Sequence, residues 1–174
     1  GSWEEADGDF VSDTSRIENL TIVNGYNGER AGGIFFGFGN GVVYNCEIYG
    51  SQEGSGIFAR QSHIEIESCI VSNNDATDAG GGIAITYGSG LIKNSVISGN
   101  SAYQSGGGIK IYSSTVDIYG TVISDNSVSS GVNEGGGVNI SHGSDVNIYR
   151  SIIDNNSSGS KGSGVWVEQA NAHF

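Results

Sequence analysis

Short glycine clusters followed by Ile or Val recur along the whole chain, and this repeat constrains the fold more than any other feature of the sequence. The residues that follow the clusters are Ile34, Ile57, Ile83, Ile109, Val138 and Val165. Subtracting successive positions gives spacings of 23, 26, 26, 29 and 27 residues. Periods of about 20–50 residues are typical of solenoids, in which each repeat buries its apolar face only against its neighbours.

A second marker recurs between the glycine clusters: an aliphatic residue, a short polar turn and then Asn. Its copies are Val71-Ser72-Asn73-Asn74, Ile97-Ser98-Gly99-Asn100, Ile123-Ser124-Asp125-Asn126 and Ile153-Asp154-Asn155-Asn156. The repeats differ in length mainly between this Asn and the next glycines, where a loop would absorb insertions. The alignment stacks the last Asn of each copy and predicts a structural asparagine ladder, in which each amide bonds the one above and below.

Each repeat also contains three short apolar runs with a period of two residues, which is typical of strands with one buried face. In the fourth repeat the runs are 109–111, 116–118 and 121–123. Such short strands are satisfied if the coils stack about 4.8 Å apart and each strand pairs with its counterpart in the next coil. We therefore predict an all-β fold, a single right-handed parallel β-helix of about six to seven coils with three strands per coil.

Length and composition fit one β-rich domain. The chain has 174 residues with thirty glycines and no proline, a balance that favours regular turns over a disordered linker. We expect a cap or partial coil over residues 1–16, stacked coils over 17–167 and a tail over 168–174. The sequence stops just after the glycine-led strand of a new coil, which suggests a segment of a longer protein.

Charge and cysteine content exclude several classes of partner. The net charge is −12 with only seven Lys and Arg, which argues against nucleic acid and anionic membranes. No apolar run approaches the roughly 18 residues of a membrane span, so no membrane insertion is expected.

Cys46 and Cys69 fall on the same inward position of adjacent coils. They are expected to be buried reduced thiols, with a disulfide between stacked neighbours as the alternative.

Two stretches show a resemblance to a known family. They are Asn100-Ser101-Ala102 followed by Gly106-Gly107-Gly108-Ile109, and the opening Ile17-Glu18-Asn19-Leu20-Thr21-Ile22-Val23-Asn24-Gly25. The chain resembles secreted and surface-attached right-handed parallel β-helix proteins of the pectate-lyase-like superfamily and, more distantly, chlamydial polymorphic outer-membrane proteins. The resemblance covers about residues 17–167 and implies an extracellular or cell-surface location. The fold hosts lyases, hydrolases, tailspikes and adhesins, so it does not decide the activity.

The outward positions of the glycine-led strands supply the candidate ligand-binding residues. They are Phe35, Phe58, Arg60, Lys110, Tyr112, Asn139 and Trp166. Aromatic rings here would stack on sugar rings, and Arg60 and Lys110 could meet a uronate carboxylate. The alternative is that these aromatics stack on neighbouring coils or pack under a loop.

Constellations for catalysis or metal binding are weak. A glycosidase needs two carboxylates that face each other, and Glu168 is the only acidic residue at the outward positions of the glycine-led strands. His63, His142 and His173 are too far apart in the predicted stack to form a pair. We assign no catalytic residue, no metal ligand and no cofactor. The exception left open is calcium, since Asp7-Gly8-Asp9 followed by Asp13 hints at a calcium loop.

Four consecutive coils present an aliphatic residue to the outside of the third strand: Ile70, Val96, Val122 and Ile152. Exposed apolar stripes of this kind usually mark contact surfaces. We expect an interface here, either with a second copy or with a covering segment, and the alternative is simple β-propensity on a tolerated surface. Self-association could also use the open ends of the coil stack.

Three functions remain open on this evidence. The first is a non-catalytic extracellular module that binds carbohydrate or acts in adhesion, with a polysaccharide or cell-surface glycan as its partner. The second is a polysaccharide lyase or glycoside hydrolase, or a fragment of one, that acts on an acidic polysaccharide. The third is a purely structural surface spacer.

Overall fold

The computed structural model describes residues 14–26, 31–78, 80–129, 134–159 and 161–174. These residues form 22 strands, which we number β1 to β22 in chain order, and no helix is found among them. Strands of successive coils pair in parallel, as β6, β10 and β14 do. The predicted all-β parallel solenoid of about six turns is therefore confirmed.

Three long sheets run along the stack. Sheet 1 contains β3 (Ala31–Gly37), β6 (Ser55–Arg60), β10 (Ile83–Thr86), β14 (Ile109–Tyr112), β18 (Val138–Ser141) and β21 (Val165–Glu168). Sheet 2 contains β1 (Thr14–Glu18), β4 (Asn40–Tyr44), β7 (His63–Glu67), β11 (Ser89–Lys93), β15 (Thr115–Tyr119), β19 (Asp145–Tyr149) and β22 (Asn171–His173). Sheet 3 contains β2 (Thr21–Val23), β5 (Glu47–Tyr49), β8 (Ile70–Ser72), β12 (Val96–Ser98), β16 (Val122–Ser124) and β20 (Ile152–Asp154).

A fourth, short sheet was not predicted. Sheet 4 contains β9 (Asp75–Ala76), β13 (Ser101–Ala102) and β17 (Ser127–Val128). The middle coils therefore have four strands, where the sequence suggested three. Strands of two residues are too short to show a period of two, which is why the sequence pattern did not reveal them.

The predicted register places the core correctly. Ile83 pairs with Ile57 on one side and with Ile109 on the other, as the glycine-led spacing required. In sheet 3, Ile97 lies between Val71 and Ile123. These inward side chains have no exposed surface, and each fully buried Ile contributes about 1.5–3 kcal/mol.

The stack extends beyond the limits expected at both ends of the described residues. Strand β1 (Thr14–Glu18) begins inside the expected cap and pairs with β4. Strand β22 (Asn171–His173) lies in the expected tail and pairs with β19. The first thirteen residues, with the candidate calcium loop of Asp7, Asp9 and Asp13, lie outside the described residues.

Sharp corners join the sheets, and a residue with left-handed backbone forms each of them. After sheet 3 these residues include Asn73, Gly99, Asp125 and Asn155, with φ between 50° and 65°. Asn, Asp and Gly adopt this conformation at the lowest cost. The corner turns the next side chain inward, and after these four residues the next one is a ladder asparagine, whereas Ser51 follows the equivalent Gly50.

Side-chain amides connect the coils through the asparagine ladder. Nδ2 of Asn74 donates to Oδ1 of Asn100 at 2.9 Å, and Nδ2 of Asn100 donates to Oδ1 of Asn126 at 3.0 Å. Nδ2 of Asn126 donates to Oδ1 of Asn156 at 2.9 Å. Each oxygen also accepts a backbone N–H, as that of Asn100 does from residue 74. The predicted ladder is confirmed.

The corner after sheet 2 has a second ladder, in which both cysteines lie. Residues 46, 69, 95, 121 and 151 occupy equivalent positions, and Ser95 Oγ accepts the backbone N–H of Cys69 at 3.1 Å. Both cysteines are buried and free, so the prediction of reduced thiols is confirmed. Burial raises the pKa of the Cys69 thiol, since the thiolate loses hydration.

Candidate functional site

The outward side of sheet 1 is the candidate ligand-binding surface, and we call it the sheet 1 face. The register brings Phe35 beside Phe58, and Lys110 beside Asn139 and then Trp166. The seven predicted residues therefore lie on one face, in the rows expected from the repeat. Their exposure differs strongly from one end of the face to the other.

An aromatic pair forms the first end of this face. The rings of Phe35 and Phe58 stack with their centroids 5.7 Å apart and 12° between their planes. Phe35 is 48% exposed, so its ring is available to solvent. Two stacked rings at the surface of a rigid sheet make a flat apolar platform of the kind on which a sugar ring can lie.

Two cations lie on the same face: Arg60 is on β6 with Phe58, and Lys110 is two strands away on β14. Arg60 is half-buried, and its Nε is buried without a hydrogen-bond partner among the described residues. Lys110 is also half-buried, and burial lowers the pKa of its ammonium group, with the Asp78 carboxylate acting in the opposite direction. Its Nζ lies 5.9 Å from the centroid of the Tyr112 ring. Both groups are partly desolvated, so a nearby anion would stabilise them more than it would a surface cation.

Tyr87 and His142, which are not among the seven predicted ligand-binding residues, complete the aromatic surface. Tyr112 stacks on His142 with centroids 4.4 Å apart, and Tyr87 meets Tyr112 edge-on at 5.3 Å. Both Tyr87 and His142 occupy left-handed corners directly after a sheet 1 strand, with φ of 56°. A search for this corner position in the aligned repeats would have found them.

The opposite end of the face is covered. Asn139 is 2% exposed, and its Nδ2 donates to the backbone carbonyl of Glu134 at 2.6 Å. The Glu134 carboxylate in turn accepts the backbone N–H of Lys161, and Lys161 Nζ lies 5.3 Å from the centroid of the Trp166 ring. Asn139 is therefore engaged with its own chain, and Trp166 is half-buried. At this end the face packs under a loop, which was the alternative expected from the sequence.

Sheet 3 carries the predicted apolar stripe. The register aligns Ile70, Val96, Val122 and Ile152 on consecutive strands. Ile70, Val96 and Ile152 are exposed, and Val122 is partly buried. The stripe exists as expected, and its role as an interface stays a prediction.

Acidic and metal-binding groups are sparse at the sheet 1 face. Glu168 pairs with Ser141 at the end of sheet 1, as the alignment placed it. Within the described residues, no group of three or more His, Cys, Asp or Glu side chains lies close enough together to hold a metal ion. In the same part of the chain, no helix is long and apolar enough to cross a membrane.

The stacked parallel coils and the corner ladders define the class of protein: a parallel β-helix solenoid with an aromatic and basic outer face. Residues 5–120 match the family described as the right-handed β-helix region, and the chain belongs to this family. No curated protein and no solved structure matches the chain. Proteins of this fold are often extracellular, and the fold is compatible with carbohydrate-related roles.

Proposed function

We propose that the protein is a non-catalytic extracellular module that binds an acidic polysaccharide along the sheet 1 face. The observation that supports this most is the combination of two partly buried cations, Arg60 and Lys110, with exposed aromatic rings. The chain as a whole has a charge of −12. An anion would therefore be repelled by most of the surface, and the partly buried cations of this face would attract it.

The two kinds of group have complementary roles in this proposal. The Phe35–Phe58 pair supplies apolar contact, and sugar rings present C–H faces that fit such a platform. Arg60 can donate two parallel hydrogen bonds to a carboxylate or sulfate, and Lys110 supplies a point charge. Because these groups lie on a rigid parallel sheet, little conformational entropy is lost when they engage a ligand.

Lys110 makes the proposal sensitive to pH. Its pKa is lowered by burial, and a bound anion would favour the charged form and raise it again. By linkage, affinity for the anion is full below the lowered pKa and falls as the pH rises through it. A neutral ligand would show no such dependence.

The apolar stripe of sheet 3 supports a further part of the proposal, which is self-association. Residues Ile70, Val96, Val122 and Ile152 place four aliphatic side chains in a line of about 15 Å at the strand spacing. A second copy that covers this stripe would bury it. Sedimentation of wild type and of Val96→Ser at several concentrations tests this part.

A glycan array, followed by calorimetric titration with a uronate polysaccharide, tests the binding proposal. We expect binding that weakens at high salt, and about tenfold weaker binding for Phe58→Ala and for Lys110→Ala. The matched control is Lys93→Ala, which removes a cation that is paired with Glu67 on sheet 2. The absence of binding to every acidic polysaccharide, or an equal loss in the control, would refute the proposal.

The same samples distinguish binding from catalysis. Incubation with pectin, alginate and glycosaminoglycans, with and without calcium, would release unsaturated or reducing ends if the protein were a lyase or hydrolase. We expect no release. Product formation that Lys110→Ala abolishes would replace the binding module by an enzyme that uses the same face.

A further inference from the structure

We infer that the outward side of sheet 2, which we call the sheet 2 face, is a second binding surface, and that its ligand is a neutral polysaccharide lying along the helix axis. This face is independent of the sheet 1 face and uses none of its residues. The inference starts from one outward column of side chains on consecutive strands. That column contains Glu18, Tyr44, Glu67, Lys93, Tyr119 and Tyr149.

Tyrosines lie towards both ends of this column: Tyr44 follows Glu18 at one end, and Tyr119 and Tyr149 are the last two residues at the other. Tyr44 is 36% exposed and Tyr149 is 44% exposed. Tyr119 and Tyr149 lie on neighbouring strands with ring centroids 5.2 Å apart. Three strand spacings, about 14 Å, separate Tyr44 from Tyr119. This distance suits an extended oligosaccharide that contacts both ends, and a single sugar would not reach.

An arginine side chain contacts a tyrosine ring towards each end of the column. Arg16 Cζ lies 5.5 Å from the centroid of the Tyr44 ring, and Arg150 Cζ lies 5.7 Å from that of Tyr119. Nη1 of Arg150 also donates to the Tyr119 hydroxyl at 2.9 Å. Rings that are fixed before binding lose less entropy when a ligand stacks on them. The Tyr44 and Tyr119 rings are therefore positioned before a ligand arrives.

Charge pairing within the face indicates that the ligand is neutral. Between the two ends, Lys93 Nζ lies 3.0 Å from the Glu67 carboxylate. Arg16 pairs with Glu18 at 2.5 Å, and His63 lies 3.6 Å from Glu65. An anionic ligand that approached Arg16 or Lys93 would have to displace a carboxylate partner, and it would meet the further carboxylates of Glu65 and Asp117. Sugar hydroxyls can instead bond to the carboxylates and amides as they stand.

The column next to the tyrosines supplies such hydrogen-bonding groups. Asn147 Nδ2 donates to Asp117 Oδ1 at 2.8 Å, which orients both side chains, and Asn147 Oδ1 and Asp117 Oδ2 can then accept a sugar hydroxyl. Leu91 lies between Glu65 and Asp117 on the intervening strand. Alternating apolar and polar groups match the faces and edges of stacked sugar rings.

Affinity electrophoresis in gels containing neutral polysaccharides (a glucan, a mannan, a xylan and a galactan) tests the inference on the full chain. We expect retardation by at least one polymer, and about fivefold or more weaker binding for Tyr44→Ala and for Tyr149→Ala. Tyr149→Phe keeps the ring and should retain the affinity, which controls for misfolding. Tyr103→Ala is the matched control, because Tyr103 is an exposed tyrosine beside sheet 4.

The outcomes separate this surface from the sheet 1 face. Binding that persists in about 0.5 M salt and in Phe58→Ala, and that an acidic polysaccharide does not displace, supports a second, neutral site. Failure of every neutral polymer to retard the protein would overturn the inference. So would an equal loss in Tyr103→Ala, or binding that salt abolishes. None of these results bears on acidic polysaccharide binding by the sheet 1 face.

Discussion

Replacing Asn100 with alanine removes four hydrogen bonds from a position that is 0% exposed. Oδ1 of Asn100 accepts from the backbone N–H and from Nδ2 of Asn74 at 3.0 and 2.9 Å. Nδ2 of Asn100 donates to Asn126 Oδ1 and to the Val71 carbonyl, both at 3.0 Å. Two of the partners keep another bond, since Asn74 Nδ2 still reaches the Ile48 carbonyl and Asn126 Oδ1 still accepts the backbone N–H of residue 100.

The size of the effect follows from these contacts. Each buried bond contributes about 1 kcal/mol net, and a buried donor left without its acceptor costs about 1–3 kcal/mol. The Asn74 backbone N–H loses the side-chain acceptor that it uses. We therefore expect Asn100→Ala to lower the free energy of unfolding by about 3–5 kcal/mol. With a urea dependence of about 2–3 kcal/mol per molar, the midpoint should fall by about 1–2 M.

Urea unfolding followed by circular dichroism and by tryptophan fluorescence measures this shift. Coincident transitions are needed first, because long repeat arrays can lose cooperativity. The control is Asn147→Ala, since the Asn147 amide makes one bond at 2.8 Å in a half-buried position on sheet 2. That variant should lose less than about 1 kcal/mol. A midpoint for Asn100→Ala no lower than that of the control would refute the role assigned to the ladder.

Three further predictions test other parts of the fold by the same unfolding assay. Gly82→Ala should cost about 1–3 kcal/mol, because its Cβ would lie 2.7 Å from the Gly108 carbonyl oxygen, whereas Gly39→Ala meets nothing within 4 Å and should be neutral. At the left-handed corner, Asn73→Gly should be neutral and Asn73→Ala should cost about 1 kcal/mol; equal stability would contradict the backbone argument. Burial raises the pKa of Cys69, so stability is full below the unfolded thiol pKa of about 8.5 and falls as the pH rises through the folded value. Wild type should lose this increment as the pH rises above about 8.5, and Cys69→Ser should not; parallel pH profiles would contradict it.

Spacing alone predicted the register because loops absorb the insertions while the strands do not. Residues 83 and 109 are 26 apart, and 109 and 138 are 29 apart, yet all three lie in one ladder. The extra residues fall between the ladder asparagine and the glycines. The asparagine ladder followed from the same alignment, because a residue type that recurs at one position of a stack meets its own copies.

Three features could not be predicted from the pattern. Strands of two residues, such as β9 (Asp75–Ala76), show no periodicity. The accessibility of outward positions depends on loop geometry, and Asn139 is covered because its amide bonds to residue 134 in the preceding loop. The sequence pattern did not predict the sheet 2 face, because its tyrosines, such as Tyr119 and Tyr149, follow short alternating runs of mixed composition. The repeat alignment places these two tyrosines on neighbouring strands, but the 5.2 Å between their ring centroids depends on side-chain rotamers that the spacing does not set.

The inward and outward columns of this solenoid obey different constraints, and that difference indicates which positions are free to carry binding groups. Each inward side chain packs on its own copies, so these columns repeat with little change, as the Ile57, Ile83 and Ile109 series does. Several corner positions are also constrained, because a small polar side chain there bonds to the coil next to it, as Ser95 does for residue 69. Outward side chains are not required to pack on or bond to the equivalent residue of the next coil. They can therefore differ from coil to coil without loss of stability. The rows that carry Lys110 on sheet 1 and Tyr149 on sheet 2 vary in this way, and binding specificity can change there while the stack remains the same.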